Sequence, residues 1–222
     1  MLLVGFDTAT PAVSVALHDG ERIVASALTV DARRQGELLA PMIAKVLADA
    51  GATRADLTGV AVGVGPGPYT GLRVGLVTAR VLGAVLDIPV HGVCTLDVIA
   101  AEAQSALSGR DFLVATDARR KEVYWARYDM AGRRVEGPLV GPAAGIGGAA
   151  NLPVAGDGGR LYPEVFGELT GPAHPDARTL CEVVATRVKN QVGQTDLLKA
   201  EPLYLRRPDA RVPGAPKRVT PS

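Results

Sequence analysis

The chain opens on an unbroken apolar run, Leu2-Leu3-Val4-Gly5-Phe6, closed by Asp7. A short run with no polar break predicts a strand buried on both faces. After Thr8-Ala9-Thr10-Pro11 the pattern becomes alternation, with Val13, Val15 and Leu17 apolar and Ser14 and Ala16 between them. That is the period of a second strand with one better-buried face. Asp19-Gly20 is a two-residue hairpin signal, and residues 22–30 return as a third strand. From 34 to 50 the period turns helical: Leu38, Leu39, Met42, Ile43, Val46 and Leu47 recur at steps of three and four. Pro41 inside that stretch is expected to kink the helix or to begin its regular part. A buried strand at 59–64, a glycine-proline loop, a helix over 72–87, a strand at 90–94 and a helix over 96–107 follow.

The same order then recurs. Phe112-Leu-Val-Ala-Thr-Asp117 parallels Leu2-Leu-Val-Gly-Phe-Asp7, an apolar strand ending in Asp. Val123, Trp125 and, less cleanly, Arg127 alternate after it, and Gly132 takes the place of Gly20 at the turn. Leu152-Pro-Val-Ala-Gly-Asp-Gly-Gly159 echoes Val60-Ala-Val-Gly-Val-Gly-Pro-Gly67. An internal repeat of βββ-helix-strand units predicts an α/β protein of two lobes, over residues 1–105 and 106–206. The second lobe is expected to be reduced, with a short helix over 161–169 and a longer one over 179–192. Leu180, Val183, Val184 and Val188 share one face of the latter. Residues 207–222 are proline-rich and basic, and predict a flexible tail.

Composition narrows the function. The 222 residues are 47% hydrophobic with a net charge of +1, so a packed core is expected. A near-neutral balance gives no electrostatic case for free-standing nucleic-acid binding. The two cysteines, Cys94 and Cys181, read as small buried hydrophobes in a reducing compartment. The N-terminus does not read as a signal peptide, and no apolar stretch reaches the roughly 18 residues a membrane span needs. A soluble, cytoplasmic protein without membrane contact is expected.

Chemistry concentrates in Gly63-Val-Gly-Pro-Gly-Pro-Tyr-Thr-Gly-Leu-Arg-Val-Gly75. Gly65, Gly67 and Gly71 allow backbone to approach something closely, and Thr70 is placed to cap the helix behind. No Lys-Ser or Lys-Thr follows, so this is not a Walker loop. Two readings stay open: a tight turn packing helix on sheet, or a cradle of N–H groups for an anion. In the helix behind it, Leu72, Val74, Leu76, Val77, Val81, Leu82, Val85 and Leu86 spread round most of the circumference. Only a stripe around Arg73 and Arg80 is charged. Such a helix needs more cover than one sheet supplies. It is either wholly buried in the monomer or presents a partner-binding face with the helix over 34–50. The residues expected on that face are Leu38, Leu39, Met42, Ile43, Val46, Leu72, Arg73, Leu76, Val77, Arg80 and Val81.

The duplicated βββαβα pattern, with an Asp closing the first strand of each half, resembles the actin-like ATPase and sugar-kinase superfold. Gly65-Pro-Gly-Pro-Tyr-Thr-Gly-Leu-Arg-Val-Gly75 closely resembles the signature of the TsaB (YeaZ) family. So do Asp7-Thr-Ala-Thr10, Asp117-Ala-Arg-Arg-Lys-Glu-Val-Tyr-Trp-Ala126 and Pro202-Leu-Tyr-Leu-Arg206. The resemblance implies a subunit of the bacterial machinery that makes N6-threonylcarbamoyladenosine at position 37 of tRNAs reading ANN codons. It implies a duplicated actin-like fold and a non-catalytic, activating role. The partner would be a TsaD-type catalytic subunit, paired through a helix bundle. A TsaE-type P-loop ATPase, a second copy of the chain, and tRNA met only through the complex complete the set. Family members commonly carry His-Ser or His-Thr at the start of the first helix, where this chain has Gln35-Gly36.

By the same resemblance Asp7, Thr8, Asp117, Gly156 and Gly158 are the remnants of a nucleotide site. No firmly bound cofactor is implied, although a nucleotide at the partner interface stays open. The catalytic relative holds metal with paired histidines at i, i+4. His18, His91 and His174 fall nowhere within helical reach of one another, so neither a metal nor a catalytic residue is expected here. An autonomous ATPase or small-molecule kinase of the same superfold is the competing reading, and a metallopeptidase a weaker one.

Overall fold

A computed structural model describes residues 1–107, 109–190 and 197–206; the tail 207–222 and Val192 lie outside the described residues. Strands β1 (Leu3–Asp7), β2 (Ala12–His18) and β3 (Ile23–Val30) form an antiparallel meander. Helix α1 (Gln35–Asp49) leads to β4 (Gly59–Gly63), which pairs parallel to β1. Helix α2 (Tyr69–Leu86) and strand β5 (Val90–Val93) complete a five-stranded sheet of order β3-β2-β1-β4-β5. Helix α3 (Thr95–Leu107) then crosses to the second lobe.

There the pattern repeats. β6 (Phe112–Asp117), β7 (Glu122–Tyr128) and β8 (Arg134–Pro142) are antiparallel neighbours, and β9 (Val154–Ala155) lies parallel to β6. The order β8-β7-β6-β9 matches β3-β2-β1-β4, so the repeat read from the sequence is a structural duplication of actin-like type. Its reduction is visible as well. Where α1 would recur, two single-turn segments, Ala143–Gly145 and Ala149–Asn151, stand in its place.

The expected helix over 161–169 is not formed. A five-residue helix, α4 (Asp157–Leu161), ends there instead. Pro163 is the cause: it disfavours the helical conformation of the residue before it, and Tyr162 sits at φ −132°, ψ 58°. Pro41, by contrast, lies inside α1 on its exposed side. Helix α5 (Ala177–Asn190) closes the described fold.

The crossing helices tie the lobes together. Leu96, Ile99, Ala103 and Leu107 of α3 pack on Phe112, Val114, Ala126 and Tyr128 of the second sheet. Leu180, Cys181 and Val184 of α5 pack on Leu3, Ala16 and Ala61 of the first. Each lobe therefore needs the other's helix to cover one face of its sheet. Both cysteines are free and buried, and burial pushes the Cys94 thiol up to about 12. The end of the chain adds a strap. Leu203 donates its N–H to Val64, Leu198 bridges to Gly92, and Arg206 reaches the second lobe to pair with Glu122 and to donate to the Ala118 carbonyl.

Candidate functional site

Helix α2 begins earlier than its apolar pattern suggests. Pro68 precedes its first residue and its carbonyl accepts the Leu72 N–H. Thr70 therefore lies within the first turn and is not the cap; the start has no side-chain cap at all. Proline's fixed φ sets the chain for a helix two residues ahead of the threonine.

Two stripes with a period of four run along α2. Gly71, Gly75, Ala79 and Gly83 are buried. A Cβ on Gly71 would stand 2.5 Å from the Thr8 carbonyl oxygen and one on Gly75 2.7 Å from the Thr8 hydroxyl. A Cβ on Gly67, in the loop before the helix, would overlap the Ala9 carbonyl. The Thr8 hydroxyl donates to the Gly71 carbonyl at 2.7 Å and accepts the Gly75 N–H at 3.0 Å. The glycines thus let the helix lie directly against the β1–β2 turn. Of the two readings, the tight-packing one describes this loop.

On the opposite side, about 200° round the helix, stand Tyr69, Arg73, Val77, Val81 and Val85. The three valines are 59%, 54% and 76% exposed. At its N-terminal end the stripe meets the strap: Tyr69 and Tyr204 stack with centroids 5.3 Å apart, and Arg73 lies 3.6 Å over the Tyr69 ring and donates to the Tyr204 hydroxyl. Arg80 is exposed beside Val81. The remaining residues of the expected partner face point inward. Leu39, Met42, Ile43, Val46, Leu72 and Leu76 are buried in the first-lobe core, and Leu38 is half-buried against it. They hold α1 and α2 to the sheet. Of the residues expected on a partner face, Arg73, Val77, Arg80 and Val81 are exposed, and Val85 continues the same four-residue spacing.

By length and composition alone α2, with 18 residues of mean hydropathy 1.3, is long and apolar enough to cross a membrane. The apolar-stretch reading of the sequence missed this. Its two arginines and its packing on β4 and α1 place it on the sheet of this fold.

Asp7 is wholly enclosed. Its carboxylate accepts the Ala9 N–H at 2.7 Å and the Thr95 hydroxyl at 2.8 Å, and Thr95 in turn accepts the Gly65 N–H. Gly63 leaves it room, since a Cβ there would overlap the carboxyl group. Burial pushes the Asp7 carboxyl up from 3.8 to about 6, against the lowering effect of its two hydrogen bonds. Asp117 is half-buried, accepts the Arg119 N–H and pairs with the Arg119 guanidinium at 3.1 Å. Gly156 and Gly158 press on Ala115 of β6 as the first glycine loop presses on Ala9. Asp157 between them accepts the Asp117 N–H, and burial raises its carboxyl. Thus Asp7 and Thr8 meet the first glycine loop, Asp117 meets the second, and no described contact joins the two aspartates. Among the described residues no three His, Cys, Asp or Glu side chains gather as a metal site.

The enclosure of Asp7 has a measurable consequence. Below pH 3.8 the group is neutral in folded and unfolded chains alike. As pH rises toward 6 only the unfolded chain ionises, and stability falls; above that the loss is complete, about 3 kcal/mol for two pH units. Asp7→Asn should remove this loss. Urea unfolding near pH 8 is expected to show the variant more stable by about 1–3 kcal/mol, with the advantage gone near pH 4. Equal pH slopes in the two proteins would refute the assignment.

Comparison with known proteins agrees with the fold. The family model "TsaD: tRNA N6-adenosine threonylcarbamoyltransferase" matches residues 28–146, just over half of the chain. An uncharacterized protein of Mycobacterium tuberculosis is 43% identical over 216 residues, 94% of this chain and 93% of that one. The "tRNA threonylcarbamoyladenosine biosynthesis protein TsaB" of Escherichia coli is 37% identical over 129 residues, 58% of this chain and 55% of that one. Among solved structures, YeaZ from Pseudomonas aeruginosa superposes with a TM-score of 0.77 at 29% identity, over 92% of this chain and 99% of that one. The chain belongs to the TsaB (YeaZ) family, within the wider tRNA N6-adenosine threonylcarbamoyltransferase family.

Proposed function

We propose that this chain is a non-catalytic, activating subunit in the biosynthesis of tRNA threonylcarbamoyladenosine, and that it works by docking the α2 stripe onto a TsaD-type catalytic subunit. The observation that carries this reading is the row Val77, Val81, Val85, which spans about 12 Å of helix and is left open to water. A family model described by the catalytic activity matches residues 28–146 of this chain, α1 and α2 included, which supports a partner of related fold. Related folds can pair through corresponding faces, as identical subunits do in a two-fold dimer. The same face is the one through which two copies of the chain would pair when the catalytic subunit is absent. Burying three valines so exposed contributes about 3 kcal/mol, roughly a hundredfold in affinity.

On this reading the enclosed Asp7 holds its turn together and has no contact with a reacting group. A TsaE-type ATPase joins the assembly, tRNA is met through the complex, and the setting is the cytoplasm. The test is reconstitution. Purified chain with tRNA and the threonylcarbamoyl donor is expected to form no modified adenosine, and addition of the catalytic subunit is expected to start the reaction.

A further inference from the structure

The α2 stripe is not purely apolar. Arg73 and Arg80 lie about 20° apart round the helix and about 10 Å apart along it, beside the three valines. No Asp or Glu occurs anywhere from Tyr69 to Leu86. Arg73 is held from two sides. Its guanidinium carbon stands 3.6 Å over the Tyr69 ring, and its Nε donates to the Tyr204 hydroxyl at 2.8 Å. Its two Nη groups, one edge of the fork that can grip a carboxylate, make no hydrogen bond among the described residues. Neither arginine has an ion-pair partner among those residues. The two acidic residues of the neighbouring α1, Glu37 and Asp49, are already paired with Arg34 and Lys45.

We propose that this face selects a carboxylate-bearing partner over a second copy of the chain, with an Asp or Glu of the catalytic subunit gripped by Arg73. The proposal rests on α2 being the docking face. Self-pairing brings like charges together there. A two-fold axis at Val77 sets Arg73 of one copy level with Arg80 of the other. An axis near Val81 sets Arg80 against Arg80, and parallel pairing sets each arginine against itself. Asp87, just past the helix end, comes level with Arg73 of a second copy only in the register that centres Arg80 on Arg80. Like charges pressed together where water leaves cost affinity, and a carboxylate placed opposite them turns that cost into an ion pair. Tyr69 and Tyr204 already fix the Arg73 guanidinium, so little side-chain freedom is lost when the carboxylate arrives. The valines supply contact area to either occupant, and the arginines choose between them.

The test measures two associations of the full chain. Binding to the purified catalytic subunit is followed by calorimetry at about 50 mM and about 500 mM salt, and self-association by sedimentation equilibrium. Arg73→Ala should weaken binding to the catalytic subunit by roughly 10-fold to 100-fold and remove most of its salt dependence. The same variant should pair with itself more tightly than the wild type does. Arg73→Lys keeps the charge but not the fork, and should stay about 10-fold weaker toward the catalytic subunit. Tyr204→Phe keeps the ring but frees the guanidinium; a loss of roughly 3-fold to 10-fold with the salt dependence retained is expected. Arg54→Ala, in the single turn before β4, should change neither association, and all four variants should melt as the wild type does. If Arg73→Ala binds the catalytic subunit as the wild type does while Val81→Asp fails to, the docking face stands and the carboxylate proposal is overturned. It is overturned as well if Arg73→Ala weakens both associations alike, or leaves the salt dependence unchanged. If Val81→Asp binds normally too, the docking face itself is wrong, and the proposal falls with it.

Discussion

Val81→Asp should abolish association with the catalytic subunit while leaving the chain itself folded. Val81 is 54% exposed on an 18-residue helix, so the change costs the monomer little beyond the lower helix propensity of aspartate, below about 1 kcal/mol. In the complex the same side chain would sit in the middle of the valine row. A carboxylate there is desolvated against apolar surface with no assigned partner, a penalty of several kcal/mol. Expected outcomes are an unchanged thermal midpoint, loss of co-elution with the catalytic subunit on size exclusion, and no tRNA modification in cells that depend on this chain. Val77→Asp should behave alike. Leu76→Asp should not: Leu76 is 4% exposed, and that variant should fail to fold. If Val81→Asp and Val77→Asp both co-elute normally, the partner face lies elsewhere.

Gly67→Ala carries a large expected effect on folding. The new methyl would overlap the Ala9 carbonyl, and Ala9 cannot retreat because Asp7 holds its N–H at 2.7 Å. Relief requires α2 to lift from the β1–β2 turn, which breaks the Thr8 bonds to Gly71 and Gly75. A loss of about 3–5 kcal/mol is expected, enough to unfold much of a marginally stable domain. Gly36→Ala supplies the contrast. There the nearest atom to a new Cβ is a Val74 methyl at 3.8 Å, and the substitution in the first turn of α1 should be neutral or stabilising by up to about 1 kcal/mol. Urea unfolding of the two variants beside the wild type reads both effects. A Gly67→Ala protein as stable as the wild type would show that the glycine loop is not held against the turn.

Much of this was legible in the chain. The two strand-Asp-turn-strand units announced the duplication, because alternation and unbroken apolar runs report directly on which faces are covered. The packing role of the glycine loop was not legible, because a glycine that meets phosphate and a glycine that meets another backbone look alike without the partner atom. What separates them here is Thr8, 63 residues away from Gly71 in sequence. The partner face was read too broadly for a related reason. Periodicity finds Leu39, Met42 and Leu76 as readily as Val77 and Val81, and only packing tells that the first three face the sheet. The strap was anticipated only as a motif. That Tyr204 would stack on Tyr69 and accept a hydrogen bond from Arg73 depends on a contact 131 residues long in sequence between Arg73 and Tyr204.

On the proposed function, this chain activates a partner and performs no transfer itself. The direct measurement is the initial rate of tRNA threonylcarbamoylation as increasing amounts of the chain are added to a fixed amount of the catalytic subunit. The expected result is no product from the chain alone, a rate that rises and saturates near one equivalent, the same curve for Asp7→Asn, and no rise with Val81→Asp. Product formed by the chain alone, or a catalytic subunit equally active without it, would contradict the account.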